Sequence, residues 1–398
     1  MCVDRENSFE TGCYCRCCAH PDGWVSGSVS GCHGGVAWGG ALKAALQDAR
    51  CTAVDEVIMG CVLGAGQGQA PARQAGFAAG LNKDVPATTL NKMCGSGMKA
   101  AMIAHDQIAL GQSDLIAAGG MESMSNAPYL LPKMRGGARI GHGQVIDHMF
   151  LDGLEDAYEK GRLMGSFAED CAQEFQLTRE AQDGYALESL SKALLAQDSG
   201  AFANEITPVT VPTRGGDLVL DIDEQPGTAR PEKIPYLKPA FRDGGTVTPA
   251  NASSISDGAA ALVLAGADHA HAAGLNIRAR ILGHSSHAQA PEWFSTAPIP
   301  AVQKLLARIG WDASDVDLWE VNEAFAVVPM VFMHEFGLSR DCVNVNGGAC
   351  ALGHPIGASG ARILVTLLNA LETRGLKRGV AAICIGGGEG TAMAIERV

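Results

Sequence analysis

A short pattern occurs twice in this chain and limits the folds open to it. In the first half, "CGSG" at 94–97 precedes a helical stretch and then an apolar strand ending in "AAGGMES" at 117–123. In the second half, "GASG" at 357–360 precedes a similar helix and a strand ending in "CIGGGEG" at 384–390. Internal similarity of this kind indicates a duplicated structural unit, so we expect two similar halves.

The segments around these repeats alternate between strand and helix patterns. Buried-strand runs such as "VDEVIMGCVL" are followed by helical runs such as "APARQAGFAAG", which is typical of a layered α/β fold. From Ser125 to Ser254 the alternation fails, and glycine, proline, aspartate and arginine become frequent, which indicates an inserted loop-rich domain. We predict an N-terminal half at 39–124 and 255–273, a loop domain at 125–254 and a C-terminal half at 274–398.

Composition argues against several classes of protein. The formal net charge of −13 comes without a long run of one sign, which gives little support to a nucleic-acid or anionic-membrane surface. No apolar stretch reaches the ~18 to 20 residues that span a bilayer, and no secretory signal pattern is present, so we expect a cytoplasmic protein. The segment "GAGQGQ" does not fit the G-x-G-x-x-G fingerprint of dinucleotide sites.

Three residues stand where side chains can carry chemistry. Cys94 lies between an extended segment and a helix, where free N–H groups and the helix dipole would stabilise a thiolate. His354 lies on a turn before the second-half helix and could accept a proton near neutral pH. Cys384 ends a strand before three glycines, whose N–H groups could form an oxyanion hole. Each residue also fits a purely structural role in a core or a turn.

Six motifs in this order resemble the thiolase family, specifically its acetyl-CoA acetyltransferases and 3-ketoacyl-CoA thiolases. They are "NKMCGSGMKA", "GGMESMSNAPY", "GTVTPANASSISDGAA", "VNEAFA", "NVNGGACALGHPIGASGAR" and "CIGGGEG". The resemblance runs from about Gly40 to Val398. It implies a duplicated five-layer α/β/α/β/α fold with an inserted loop domain, a homodimer or homotetramer, and a role in lipid metabolism such as fatty acid β-oxidation. Acyl-CoA and coenzyme A would be the substrates, with no metal or redox cofactor.

The resemblance also implies roles for single residues. Cys94 would be the nucleophile that takes the acyl group, His354 the base that activates it, and Cys384 the second acid and base. Asn322, through a water, would form one oxyanion hole with His354, and the N–H groups of Cys94 and Gly386 would form the other. Positions that match the coenzyme A and acyl tunnel of the family are Ser253, Leu154, Met164, Phe241, Pro249, Ala324 and Phe325.

Other interpretations of the motifs remain. A ketosynthase of fatty-acid or polyketide assembly is the alternative enzyme, although ketosynthases have a Cys-His-His set and this chain has Cys384 in the third place. A ligand-binding α/β protein would leave the three residues as unrelated core positions. Leu163 stands where many thiolases have a histidine, which leaves acyl specificity open. We assign no metal, and we expect His142 and His148 to lie on a solvated loop.

The first 38 residues differ from the opening of the family. They hold six of the chain's 13 cysteines and neither leucine nor isoleucine, and "CYCRCCAHPDGW" at 13–24 stands where thiolases have a buried strand. The four cysteines of that segment lack the paired spacing of zinc sites. A shift of one nucleotide is compatible with the family's usual opening, so we hypothesise that residues up to about Trp38 are translated out of frame. As written, we expect the first half-sheet to lack a core strand.

Overall fold

The computed structural model describes residues 7–18, 35–213 and 216–398. Its strands are β1 Asn7–Cys18, β2 Glu56–Gly60, β3 Ala87–Leu90, β4 Leu115–Ser123, β5 Tyr129–Leu130, β6 Ile146–Asp147, β7 Val209–Thr213, β8 Gly216–Leu220, β9 Ser256–Gly266, β10 Ile277–Ala288, β11 Leu318–Val321, β12 Arg378–Ile385 and β13 Glu389–Arg397. Its helices are α1 Gly35–Asp48, α2 Pro71–Ala78, α3 Ser96–Ala109, α4 Met164–Glu174, α5 Arg179–Asp198, α6 Glu224–Thr228, α7 Ala267–Ala273, α8 Pro298–Ile309, α9 Val327–Phe336, α10 Ala349–Leu352 and α11 Ile356–Arg374. Within these ranges no helix is both long and apolar enough to cross a membrane.

The main sheet repeats one arrangement in its two halves. Its strand order is β11-β12-β13-β10-β1-β9-β4-β2-β3. In the first half, β2 runs parallel to β3 and β4, and β9 follows β4 antiparallel. In the second half, β11 runs parallel to β12, and β13 follows antiparallel. The predicted alternation of strands and helices in two similar halves is therefore confirmed.

Helices cover both faces of each half-sheet, which gives five layers. Helices α3 and α11 lie in the middle and pack against Ile116 of β4 and Ile383 of β12. The next residue along β4, Ala117, faces outward to α1 and α2. The preceding residue on β12, Ala382, faces outward to α8 and α9. Because successive strand residues point to opposite faces, strands buried on both sides are expected to be mostly apolar. Strands β4 and β12 are apolar except for Glu122 and Ser123 at the end of β4 and Arg378 at the start of β12.

Strand β1 corrects one expectation from the sequence. Its backbone pairs antiparallel with β9, with Cys18 opposite Ser256, and its first residues also pair with β10. The first half-sheet therefore has a strand between β9 and β10, where we expected none. Strand pairing is made by main-chain N–H and C=O groups, so a segment without leucine or isoleucine can still form it. The reading-frame hypothesis is separate from this pairing and stays a hypothesis.

Residues 125–254 interrupt the layered pattern with short elements. They carry the hairpins β5–β6 and β7–β8 and the helices α4, α5 and α6. Helix α5 begins after Thr178, whose Oγ1 accepts a hydrogen bond from the Ala181 N–H at 3.2 Å. Two side chains of α5, Tyr185 and Ser189, donate hydrogen bonds to buried Glu323, just after β11, at 2.9 and 2.7 Å. These bonds fasten the inserted region to the second half.

Candidate active site

Cys94 lies on a tight turn between β3 and α3. Met93 before it has φ of +47°, a left-handed conformation that costs energy in a residue other than glycine. Ser96 holds the turn, because its Oγ accepts from the Lys92 N–H at 2.8 Å and donates to the Met93 carbonyl at 2.6 Å. A Cβ on Gly95 would lie 2.4 Å from Ile385 Cδ1. The turn is therefore pressed against the end of β12.

The first turns of α3 and α11 touch through the glycines of the repeated motif. A Cβ on Gly97 would lie 2.7 Å from the Ala361 nitrogen, and a Cβ on Gly360 would lie 2.4 Å from the Met98 nitrogen. Only glycine permits such an approach of two helix backbones. The duplicated Ser-Gly pattern therefore brings the segments that carry Cys94 and His354 to the same end of the middle layer.

The glycine turn after β12 reaches the sulfur of Cys94. The backbone N–H groups of Gly386 and of Cys94 itself lie near this sulfur and lower its pKa. Gly387 and Gly388 continue the turn with φ of 92° and 85°, values that suit glycine. Cys384 is buried at the end of β12, next to Ile385, whose side chain packs against Gly95 in the Cys94 turn. The structure thus brings Cys94, Cys384 and Gly386 to one place.

Both cysteines are thiols at neutral pH. Burial raises the pKa of Cys94 to about 11, and the charge of Glu122 adds to the rise. The two N–H groups lower this pKa, but burial outweighs them. The N–H groups therefore favour the thiolate, as the sequence analysis expected, but burial around the turn has the larger effect on the pKa of Cys94. Burial also raises the pKa of Cys384, so chemistry at either sulfur needs a partner that moves the proton.

The hydrogen bonds of His354 select one tautomer. Ser359 Oγ donates its single proton to the Pro355 carbonyl at 3.0 Å, so it accepts from His354 Nδ1 at 2.6 Å. The proton therefore lies on Nδ1, and Nε2 keeps its lone pair. Asn322 Nδ2, 3.5 Å from Nε2, donates to that lone pair. Nε2 is the ring atom that can take a proton from a thiol. Sequence reasoning missed Ser359, although it lies in the repeated "GASG".

Asn322 directly follows β11, and its side chain faces His354. Its N–H donates to the Ala382 carbonyl of β12 at 3.0 Å. Its side-chain oxygen, Oδ1, is buried and has no hydrogen-bond partner among the residues that the structure describes. This oxygen can accept a hydrogen bond from a water, and the second proton of that water can be donated to a substrate oxygen.

Glu122 is a buried carboxylate that the sequence analysis missed. Its Oε2 accepts hydrogen bonds from the Val62 and Gly357 N–H groups, each at 2.9 Å, and its Oε1 accepts from the Leu63 N–H at 3.0 Å. Burial raises its pKa to about 7 against the opposing effect of these donors. Glu122 thereby joins the loop after β2 to the start of α11, three residues past His354. The available signal was an acidic residue at the end of an otherwise apolar strand.

Most of the predicted tunnel residues lie beside the catalytic candidates. Met164, Phe241 and Phe325 belong to the apolar cluster that contains Cys384. The Phe241 and Phe325 rings meet edge to face with centroids 6.0 Å apart. The Met164 sulfur lies 3.3 Å from the position of a Cβ on Gly386. These side chains therefore form an apolar wall next to the glycine turn.

Of the four remaining tunnel candidates, Ser253, Ala324 and Leu154 pack beside the catalytic candidates, and Pro249 is exposed. Ser253 donates through Oγ and through its N–H to the Ala324 carbonyl, each at 3.0 Å, and Ala324 belongs to the Cys384 cluster. Leu154 packs in the same cluster as Cys94. Pro249 is exposed on a turn, and no contact with the other candidates is described for it. Its assignment rests on the resemblance alone.

His148 corrects a second expectation. Its ring is buried, its Nδ1 lies 2.6 Å from Asp152 Oδ2, and its Nε2 accepts from the Ala65 N–H at 3.4 Å. It therefore connects the inserted region to the loop after β2, and the prediction of a solvated loop is wrong for this residue. His142 is exposed, as predicted.

Leu163, which stands where many thiolases have a histidine, immediately precedes α4 and Met164. The position that departs from the family therefore borders the apolar wall.

Comparison with known proteins identifies close relatives. Residues 38–268 match the family model "Thiolase, N-terminal domain", and residues 275–397 match "Thiolase, C-terminal domain". The chain is 50% identical over 366 residues to acetyl-CoA acetyltransferase 2 of Arabidopsis thaliana, covering 91% of this chain and 90% of the relative. It is 50% identical over 347 residues to acetyl-CoA acetyltransferase of Pseudomonas aeruginosa, covering 86% and 88%.

Two solved structures have the same fold. The acetyl-CoA acetyltransferase of Bacillus anthracis superposes with a TM-score of 0.93 at 38% identity, covering 100% of both chains. A thiolase of Ascaris suum in complex with coenzyme A superposes with a TM-score of 0.89 at 40% identity, covering 99% of this chain and 100% of that one. These matches confirm the resemblance drawn from the six motifs and the predicted fold class.

Proposed function

Because the chain belongs to the thiolase family, we propose that it is an acetyl-CoA C-acyltransferase. It cleaves a 3-ketoacyl-CoA with coenzyme A and, in reverse, condenses two acetyl-CoA molecules to acetoacetyl-CoA. The relatives named as acetyl-CoA acetyltransferases and the coenzyme A complex of the Ascaris thiolase support this substrate class. The observation that carries the proposal is the packing of the Cys94 turn against the end of β12, with Gly95 against Ile385 and the Gly386 N–H near the Cys94 sulfur. This contact joins the two halves at the nucleophile.

Thiolysis begins with both cysteines as thiols. Cys94 Sγ attacks the 3-keto carbon while His354 Nε2 takes the thiol proton. The bond between the α-carbon and the 3-keto carbon then breaks, and the departing acetyl-CoA enolate takes a proton from Cys384. An acyl thioester on Cys94, an imidazolium and a Cys384 thiolate remain. Because burial raises the pKa of both thiols, each proton moves together with the bond that needs it.

The second half-reaction restores the starting state. The coenzyme A thiol gives its proton to Cys384 and attacks the thioester, and the released Cys94 sulfur recovers its proton from His354. Negative charge develops on an oxygen in both half-reactions. The N–H groups of Cys94 and Gly386 stabilise one oxyanion, and His354 stabilises the other together with a water held by Asn322. These groups supply a nucleophile, a base and an acid, so we propose a reaction without metal or redox cofactor.

Assembly and cellular role belong to the same proposal. We propose a homodimer or homotetramer with contacts from residues 125–254, supported by the exposed apolar side chains of Tyr129, Leu131 and Ile140. Light scattering of the purified protein measures this state, and a monomer at working concentration would contradict it. The cytoplasmic location and a role in fatty acid β-oxidation stay predictions.

Thiol labelling tests the proposed chemistry. Iodoacetamide should modify Cys94 preferentially, and acetyl-CoA should protect it; uniform slow labelling would contradict the proposal. Cys94→Ser should abolish thiolysis, whereas Cys342→Ser, a matched change at another half-buried cysteine, should keep it. Rates with acetoacetyl-CoA and with longer 3-ketoacyl-CoAs define the chain-length preference. Equal inactivity of the folded protein on all of them would reject the enzyme, and transfer from acyl carrier protein alone would favour a ketosynthase.

A further inference from the structure

Two histidines and an aspartate meet at a place far from Cys94. His105 and Asp106 lie near the end of α3, and His284 lies on β10. His105 Nδ1 is 3.2 Å from Asp106 Oδ1, and His284 Nε2 is 2.8 Å from the same oxygen. One potential ligand atom from each residue lies within 4.8 Å of the other two. The three side chains therefore present their donor atoms to a common point.

The spacing suits a small metal ion. A tetrahedral ion with ligands at about 2.0–2.2 Å holds its ligand atoms about 3.3 Å apart. The separations of 3.2 and 2.8 Å from Asp106 Oδ1 are within about half an ångström of this value, and the two histidine nitrogens, at most 4.8 Å apart, come closer by rotation of their rings. The two imidazole rings meet at 88° with centroids 5.1 Å apart, so their nitrogens approach Asp106 from different directions. In a tetrahedral site, these three ligands leave the fourth coordination position to a water.

Two of the three side chains are largely buried, and the third opens the cluster to solvent. The side chains of His105 and His284 are 17% and 13% exposed, whereas Asp106 is 51% exposed. Metal ions bind neutral imidazoles and ionised carboxylates, so an ion would replace the protons of the present His–Asp hydrogen bonds.

We propose that His105, Asp106 and His284 form a binding site for a late first-row divalent transition metal ion, with Zn²⁺ as its representative. Two imidazoles and one carboxylate are a donor set for Zn²⁺, whereas Mg²⁺ and Ca²⁺ prefer oxygen ligands. The ion links α3 of the first half to β10 of the second. The positive charge of Lys99 on α3 disfavours the binding of a cation at this site. The site stabilises the fold and takes no part in the reaction. Sequence spacing did not indicate it because Asp106 and His284 are 178 positions apart.

Metal titration of the full chain tests the site. Chelator-treated wild type and His284→Gln are titrated with Zn²⁺ by calorimetry, and the melting temperature is followed in parallel. Because cysteines also bind Zn²⁺, the readout is the difference between the two proteins. His284→Gln should lose one equivalent or bind it about tenfold or more weakly, and it should lose the matching rise in melting temperature. Equal stoichiometry and affinity in the two proteins would overturn the proposal.

Two further variants separate ligand loss from damage to the fold. Asp106→Asn changes a half-exposed side chain and should lose the same equivalent. His271→Gln, at an exposed histidine on α7, should bind Zn²⁺ like wild type. Wild-type binding by Asp106→Asn, or the same loss in His271→Gln, would count against the site. Thiolysis by the chelator-treated enzyme is measured separately and should be unchanged, so failure of the metal site leaves the proposed function standing.

Discussion

Replacing Glu122 by glutamine should change how the free energy of unfolding depends on pH. Burial raises the pKa of this carboxyl from its ordinary value of 4.5 to about 7 in the folded protein. A carboxyl whose pKa is raised on folding binds protons more tightly in the folded state, so it destabilises the protein as pH rises through this window. At 1.36 kcal/mol per unit, the loss is about 3 kcal/mol between pH 4.5 and 7. Glu122→Gln removes this contribution.

The same substitution has a cost and a second effect. The side-chain oxygen of glutamine can still accept from the Val62 and Gly357 N–H groups. Its NH₂ group then faces the Leu63 N–H, so that hydrogen bond is lost at a cost of about 1–3 kcal/mol in stability. The variant should therefore be less stable than wild type at low pH, with the difference shrinking as pH rises. Because the charge of Glu122 raises the pKa of Cys94, alkylation of Cys94 should shift to lower pH in the variant.

Urea unfolding of both proteins at several pH values between about 5 and 8 measures the effect, at equal protein concentration because subunit dissociation contributes. Burial also raises the pKa of Glu205 to about 7 and of Glu320 to about 8, so the wild-type slope has several contributions. The difference between wild type and Glu122→Gln isolates one of them. Identical pH slopes for the two proteins, with both still folded by circular dichroism, would refute the reasoning.

Three further substitutions test the geometry of the site. Ser359→Ala removes the acceptor of His354 Nδ1–H, so kcat for thiolysis should fall about tenfold, and the unpaired buried N–H should lower stability by about 1–3 kcal/mol; an unchanged kcat would contradict the tautomer assignment. Gly348→Ala places a Cβ 2.2 Å from Glu323 Cδ and should destabilise the protein by about 1–3 kcal/mol in urea unfolding; wild-type stability would contradict this packing. Cys384→Ser should lower thiolysis by about 10²-fold or more, because Cys384 gives a proton to the departing enolate and takes one from coenzyme A, and an unchanged rate would contradict its role as the second acid.

The sequence by itself predicted the architecture and indicated the proposed reacting groups. Strand and helix periodicities are local, so they predicted an α/β fold, and the duplicated Ser-Gly motif predicted the two halves. The motifs around Cys94, His354 and Cys384 are runs of adjacent residues that resemble those of thiolases, which is why the three positions could be proposed from the chain alone. Pro249 shows the limit of such transfer, because a matching position says nothing of its contacts.

Only the tertiary structure decided the protonation and support of these groups. Burial sets the high pKa of Cys94, and burial depends on residues from both halves. The strand position of β1 arose from main-chain pairing that its side chains did not predict. Glu122 and the His105–His284 cluster join segments far apart in the chain. Local patterns report which faces are apolar, whereas hydrogen-bond partners and desolvation depend on distant segments that meet only in the folded protein.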